Sequence, residues 1–233
     1  MNHIASRSYS VFVAHNVGGD IYKKMALKED LQKALVELRK GKERKFDQTV
    51  DLIVNLQKFD LKKNNVNLFV SIPHKIKDKK IAGFFETKNK NVETITGDEF
   101  RKYNDKKKLK NIVKKYDFFI SQASLMPKVA TTFGRVLGPA GKMPSPQLGI
   151  LMEVTDKAIE EIKKKINTSI KIKTKEASIK VASGKASMKD EEIVENSLII
   201  YNALVNELPR DKENIKNVEL KFTMTKPVKI KIR

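Results

Sequence analysis

The sequence of 233 residues contains no cysteine. Disulfide frameworks, cysteine-ligated zinc, iron–sulfur clusters and thiol catalysis are therefore excluded. Histidine is nearly as scarce. His3, His15 and His74 are the only three, too few for a multi-histidine metal site, and they read as isolated imidazoles in loops or caps. No apolar run approaches the ~18 residues of a membrane-spanning helix. Acidic residues are in deficit, with 28 Asp and Glu against 48 Lys and Arg, a net charge of +20. Such an excess repels itself in a compact state. It points to a polyanionic partner, nucleic acid before a membrane surface.

Catalytic patterns are missing too. A phosphate-binding loop needs G-x-x-x-x-G-K-[ST]. Around Gly141-Lys142 the first glycine is replaced by Val136 and the final hydroxyl by Met143. No G-x-G-x-x-G occurs. The adjacent acids, Glu160 with Glu161 and Asp190 with Glu191 and Glu192, open helices, where carboxylates favour the helix dipole. These features predict no enzyme and no cofactor.

What is present is an alternation of periodicities. Leu27, Leu31, Ala34, Leu35 and Leu38 share a helical face over 27–40, and Gly41 is placed to end that helix in a left-handed conformation. Strand patterns follow at 49–56 and 68–72. From 81 to 137 strands alternate with helices: strands at 81–85 and 117–121, helices at 106–115 and 125–137, and a short helix within 94–103. This alternation predicts a parallel sheet with crossover helices. Residues 127–149 hold four of the seven prolines and four of the ten glycines, so 136–146 is expected to be a rigid loop. Thr155 is placed to cap a helix over 155–165. Alternating strands follow at 169–173 and 178–182. Ser187-Met-Lys-Asp190 opens a long helix to about 208 with a capping pattern. Strands at 218–222 and 228–232 close the chain. Residues 1–24 are acid-poor before Asp20 and are expected to be a disordered extension.

Basic residues cluster at 39–45, 102–115, 157–175 and 226–233. The first cluster holds Arg39, Lys40, Lys42, Arg44 and Lys45 beside Phe46. Folded RNA is often held by phosphate and ribose contacts together with stacking on an exposed aromatic ring. By composition alone, Phe46 is equally a stacking platform or an anchor in the core.

The string Val136-Leu-Gly-Pro-Ala-Gly-Lys-Met-Pro-Ser-Pro146 resembles the signature of the ribosomal protein L-one family, the mobile-stalk protein beside the tRNA exit site of the large subunit. The resemblance runs from about 25 to 233. Lys45-Phe-Asp-Gln-Thr-Val50, Ile72-Pro-His74, Val181-Ala-Ser-Gly-Lys185 and Thr223-Met-Thr-Lys-Pro227 are similar to further segments of that family. Asp60-Leu-Lys-Lys63 and the Lys-Pro after Met224 resemble its archaeal branch. The resemblance implies a mixed α/β and α+β protein of two domains. A split α+β domain is built from 25–72 and 155–233, and a Rossmann-like α/β domain, 73–154, is inserted in it. Pro73, His74, Glu153 and Val154 would form the hinge.

The resemblance also implies binding to a structured site in large-subunit ribosomal RNA. The partners it implies are that RNA, tRNA at the exit site, other ribosomal components and the protein's own message, which members repress; a membrane is not among them. Location would be cytoplasmic and ribosome-bound. Carried over position by position, the RNA-facing residues are Lys45, Phe46 and Thr49; Gly184, Lys185 and Ser187; and Thr223, Met224 and Thr225, the last standing where glycine is expected. A free-standing ribosome-assembly factor of the same fold is the alternative, although such factors usually carry long charged tails.

If phosphates carry the affinity, log K for structured RNA should fall with log salt by about 0.7–0.9 per phosphate neutralised. Titrations between low and physiological salt test this. A slope of zero would contradict the electrostatic account.

Overall fold

The computed structural model describes residues 25–230 except 43, 62, 65, 104 and 175, with only the backbone at 102 and 106. The expectation for residues 1–24 lies outside the described residues. In chain order the elements are α1 (25–39), β1 (Thr49–Leu56), β2 (Asn67–Ser71), β3 (Ile81–Phe85), β4 (Glu93–Thr96) and α2 (Lys106–Lys115). They continue with β5 (Phe118–Gln122), α3 (Met126–Ala140), β6 (Ile150–Leu151), α4 (Asp156–Thr168), β7 (Ser169–Lys173) and β8 (Ser178–Lys185). The chain closes with α5 (Asp190–Glu207), β9 (Ile215–Phe222) and β10 (Val228–Ile230). The described residues form two compact units, one from 25–76 with 170–230 and one from Lys77–Ser169.

In the split unit a four-stranded antiparallel sheet has the order β10-β9-β1-β8, and β2 pairs with β7. One face of the sheet is apolar. Val50, Leu52 and Val54 from β1 and Val218, Leu220 and Phe222 from β9 pack with Leu31 and Leu35 of α1 and Ile193, Ile200 and Leu204 of α5. The predicted inward face of α1 is confirmed, with Leu35 fully buried. Gly41 departs from expectation. It donates its N–H to the Leu38 carbonyl at 3.3 Å without a left-handed φ. Asn196, also fully buried, accepts from the His74 N–H at 3.2 Å and donates to the carbonyls of His74 at 2.9 Å and Ser183 at 3.0 Å. His74 Nε2 lies 2.8 Å from the Glu195 carboxylate.

In the inserted unit the parallel sheet has the order β4-β3-β5-β6. One face carries Phe84 and Phe119 under α2 and α3, where Phe133 lies 4.9 Å from Phe84 and edge-on to Phe100 at 5.1 Å. The opposite face carries Ile81, Phe85 and Ile120 against Ile159 and Ile166 of α4. Helices on both faces of a parallel sheet make the three-layer α/β arrangement that the alternation predicted. The short helix expected within 94–103 is a 3-10 helix over Gly97–Tyr103, which follows directly on β4.

The proline-rich string also differs from expectation. α3 continues through Gly138 and Pro139 and stops at Gly141, whose φ of 69° closes the helix in the left-handed region. Pro139 lies in the last turn, where its missing N–H forfeits one bond, to the Arg135 carbonyl, and the helix ends one residue later. Lys142 then donates to the carbonyls of Val113 and Tyr116, both at 2.7 Å, and so completes the C-terminal end of α2. Lys79 does the same for α4, reaching the carbonyls of Ile166 at 2.8 Å and Ser169.

The boundaries are corrected by α4. It was expected with the split domain, but its apolar face packs on the inserted sheet because Thr155 starts it directly after β6. The chain therefore crosses between units at 76–77 and 169–170. Pro73 and His74 belong to the split unit, and Glu153 and Val154 lie inside the inserted one. The proposed hinge positions do not coincide with these crossings.

Replacing Asn196 by Ala would take their partner from three backbone groups, the buried Ser183 carbonyl and the half-buried N–H and carbonyl of His74. Stability should fall by roughly 1–3 kcal/mol or more, read as a lowered midpoint in urea unfolding. An unchanged midpoint would show that this amide is not needed.

Candidate nucleic-acid interface

β1 is hydrogen-bonded on both edges, to β8 and to β9. At its N-terminal end Thr49 faces Lys185, and Val50 faces both Gly184 and Phe222. The three segments named in sequence therefore converge at one end of one sheet.

The junction with the turn after β9 is made by hydroxyls and amides. The Thr49 N–H donates to Thr223 Oγ1 at 3.1 Å, and the Thr223 hydroxyl donates back to the Thr49 carbonyl at 3.3 Å. The Met224 N–H donates to the Gln48 side-chain carbonyl at 3.2 Å. Thr225 closes its own turn. Its Oγ1 accepts from the Phe222 N–H at 2.9 Å, and its φ is not left-handed. A threonine thus fits where the resemblance expects glycine, because its hydroxyl supplies the closure. Phe222 belongs to the core.

The junction with the turn after β8 is ionic. Asp47 accepts from the Ser187 N–H at 3.1 Å and the Ser187 hydroxyl at 3.0 Å, and lies 3.2 Å from the Lys185 ammonium. Partial dehydration works to raise its pKa. Hydrogen bonds from Lys185 and Ser187 and the lysine charge outweigh this and hold the carboxyl below its ordinary 3.8. The Ala186 N–H donates to the Gln48 carbonyl at 2.7 Å. Ser187 does not cap α5, as its sequence pattern suggested. Lys189 is the N-cap, and its N–H lies 3.4 Å from Glu192 Oε2.

A bulge sets the direction of the side chains here. Val50 pairs with Gly184 but Asp51 pairs with Ala182, so Ser183 is an extra residue in β8. Ile179 and Val181 face the core. Without the bulge the period of two would send Lys185 inward. The extra residue turns Gly184 inward instead, where an added Cβ would lie 2.8 Å from Ile193 Cγ1, and Lys185 is left half-exposed.

Around these junctions Phe46 is 51% exposed and Met224 59% exposed. Neither fills the core. Lys40, Lys42, Arg44 and Lys45 are exposed and make no ion pair among the described residues. Arg39 does not belong with them. Its Nε donates to Asp190 Oδ1 at 2.7 Å, and its two terminal nitrogens donate to the carbonyls of Ala186 and Met188, both at 3.1 Å. It clamps α1 to the turn that carries Lys185 to Ser187. Asp47, Gln48 and this role of Arg39 were not identified in the sequence. The two polar residues between Phe46 and Thr49 were the available signal. The site combines an exposed ring, an exposed thioether and unpaired cations, which suits a folded polyanion with ribose and base faces.

The other lysine clusters are less organised. Lys115 pairs with Glu93 at 2.6 Å beside the Tyr116 ring. Lys171 lies over the Phe69 ring at 5.2 Å. Among the described residues no group of three or more His, Asp or Glu is placed to hold a metal ion, and no helix is long and apolar enough to cross a membrane.

Residues 38–226 match the model of the ribosomal protein L1p/L10e family. The chain is 35% identical over 209 residues to the large ribosomal subunit protein uL1 of Pyrobaculum islandicum, covering 85% of this chain and 91% of that one. To the uL1 of Thermococcus kodakarensis it is 34% identical, with 87% and 97% covered. To that of Nanoarchaeum equitans it is 32% identical, with 82% and 95% covered.

Because Asp47 has a lowered pKa in the folded chain, its contacts contribute above the ordinary carboxylate range and are lost as pH falls through the lowered value. The NMR shift of the Ser187 amide should hold from about pH 7 to about pH 4 and move only below that. A transition centred between about pH 4 and about pH 7 would contradict the pairing.

Proposed function

The chain belongs to the ribosomal protein L1 family, and on that premise we propose that the surface around Phe46 and Met224 binds a structured site in large-subunit ribosomal RNA. The observation that carries this reading is the exposure of an aromatic ring and a thioether beside unpaired cations. In a soluble protein such side chains are usually withdrawn or isolated. Here they are held in place by backbone and hydroxyl contacts from segments far apart in the chain.

Lys45 and its basic neighbours supply phosphate contacts, which give affinity and orientation. Phe46 supplies a stacking face, and Met224 adapts to the ribose or base edge beside it. Thr49 and Thr223 spend their hydrogen bonds on each other, so their part is to hold the two segments in register. Gly184 allows the close packing that turns Lys185 outward.

On the ribosome the protein would form the mobile stalk near the exit site and assist release of deacylated tRNA. Binding of the same surface to a similar fold in its own message would make it a translational repressor. This places it in the cytoplasm, bound to the ribosome, with no catalytic role. The free-standing assembly factor remains the second reading. The lengths of the relatives favour the ribosomal one, since the chain covers 91% and 97% of two of them.

Replacing Phe46 by Ala is expected to cost about 1–3 kcal/mol of affinity for a ribosomal RNA transcript with no change in thermal unfolding, since the ring is exposed. Anisotropy titration beside a melting curve checks both. Unchanged affinity, or loss of stability alone, would remove Phe46 from the interface.

A further inference from the structure

An acid lies in the middle of this cationic surface. Asp47 follows Phe46 directly, is about one-third exposed, and takes its three donors from a turn that lies 138–140 residues further along the chain. Two of those donors belong to Ser187, which needs no charge to be held. The third is Lys185, the cation that the bulge in β8 turns outward. A simple phosphate grip would leave that lysine unpaired.

We propose that Asp47 is a positioning and selectivity residue of the RNA surface: it fixes the turn of Gly184 to Ser187 against Phe46, and it neutralises Lys185 so that the centre of the site does not take phosphate indiscriminately. The proposal rests on the reading of this surface as RNA-binding.

The physical argument is one of competition. Among the described residues Lys40, Lys42, Arg44 and Lys45 make no ion pair, and they attract the backbone of any RNA. A phosphate approaching Lys185 meets the Asp47 carboxylate 3.2 Å from the same ammonium and is repelled by it. Phosphates are thereby kept to the side of the unpaired cations. The centre is left to ribose and base faces presented to Phe46 and Met224. Selectivity then comes from a repulsive element as well as an attractive one.

The test uses the full chain and two probes, an in vitro transcript of the source organism's large-subunit ribosomal RNA and polyuridylate. In Asp47→Asn the shape remains and the side-chain carbonyl still accepts from the Ser187 N–H, but the charge is gone. Polyuridylate binding should tighten several-fold, and its salt dependence should steepen by about 0.7–0.9, as one further phosphate contact requires. The second change should vanish in the double variant Asp47→Asn with Lys185→Met. Asp47→Ala also frees the turn and should weaken transcript binding about tenfold, or about 1.4 kcal/mol, without weakening polyuridylate. An Asp47→Asn protein with unchanged polyuridylate affinity and slope would overturn the proposal. So would a parallel loss for both RNAs together with a lowered melting point, which is the mark of a structural role alone. Phe46→Ala and Lys45→Met separate the two levels. If neither affects transcript binding, the reading of the surface fails. If both do and Asp47→Asn changes nothing, only the role of Asp47 fails.

Discussion

Strand β1 is hydrogen-bonded along both edges to strands from the other end of the chain, and the site exists only because of that pairing. Thr49 and Thr223 are separated by 174 residues and exchange hydrogen bonds. Closing so long a loop costs little more than closing one of half the length, so an inserted unit can occupy the middle of the chain without a large penalty. The ladder has to be held in register, however. A slip of one residue would reverse every side chain. Val50, Leu52 and Val54, buried against α1 and α5, prevent it.

Electrostatics divides the basic residues into two kinds. Arg39 and Lys185 are bound to acids and serve the architecture, the first by its fork on Asp190 and two carbonyls, the second by its pairing with Asp47. Lys79 and Lys142 finish helices. Lys40, Lys42, Arg44 and Lys45, near Phe46 in the chain, make no ion pair among the described residues, so their charge is open to a partner. A count of lysines along the sequence does not separate these kinds. Exposed ion pairs contribute little stability, so their value here lies in where they hold the turns.

Much of this was legible in the sequence where one period ran without interruption. The inward face of α1, the strand at 81–85 and α5 follow directly from apolar spacing. The three site segments were located through the family resemblance, and the structure brings them together. Whether Phe46 was core or surface could not be read from composition, because a ring next to a strand start serves either use. The bulge at Ser183 was hidden because it changes which face Lys185 occupies while leaving the residues themselves ordinary. Pro139 concealed the end of α3, since a proline this close to the end forfeits only its own N–H bond to the Arg135 carbonyl and the helix runs on for one more residue. The partner of α4 was also missed. Its apolar face fits any sheet, and only the short step from β6 commits it to the inserted unit.

The central claim is that residues 45–49, 184–187 and 223–225 act as one surface for RNA. Hydrogen exchange of the backbone amides, with and without a bound ribosomal RNA transcript, tests it most directly. The account predicts slowed exchange in all three segments at the same RNA concentration, with the amides of α2 unaffected. Protection centred on α2 or α4, with the three segments unchanged, would contradict it.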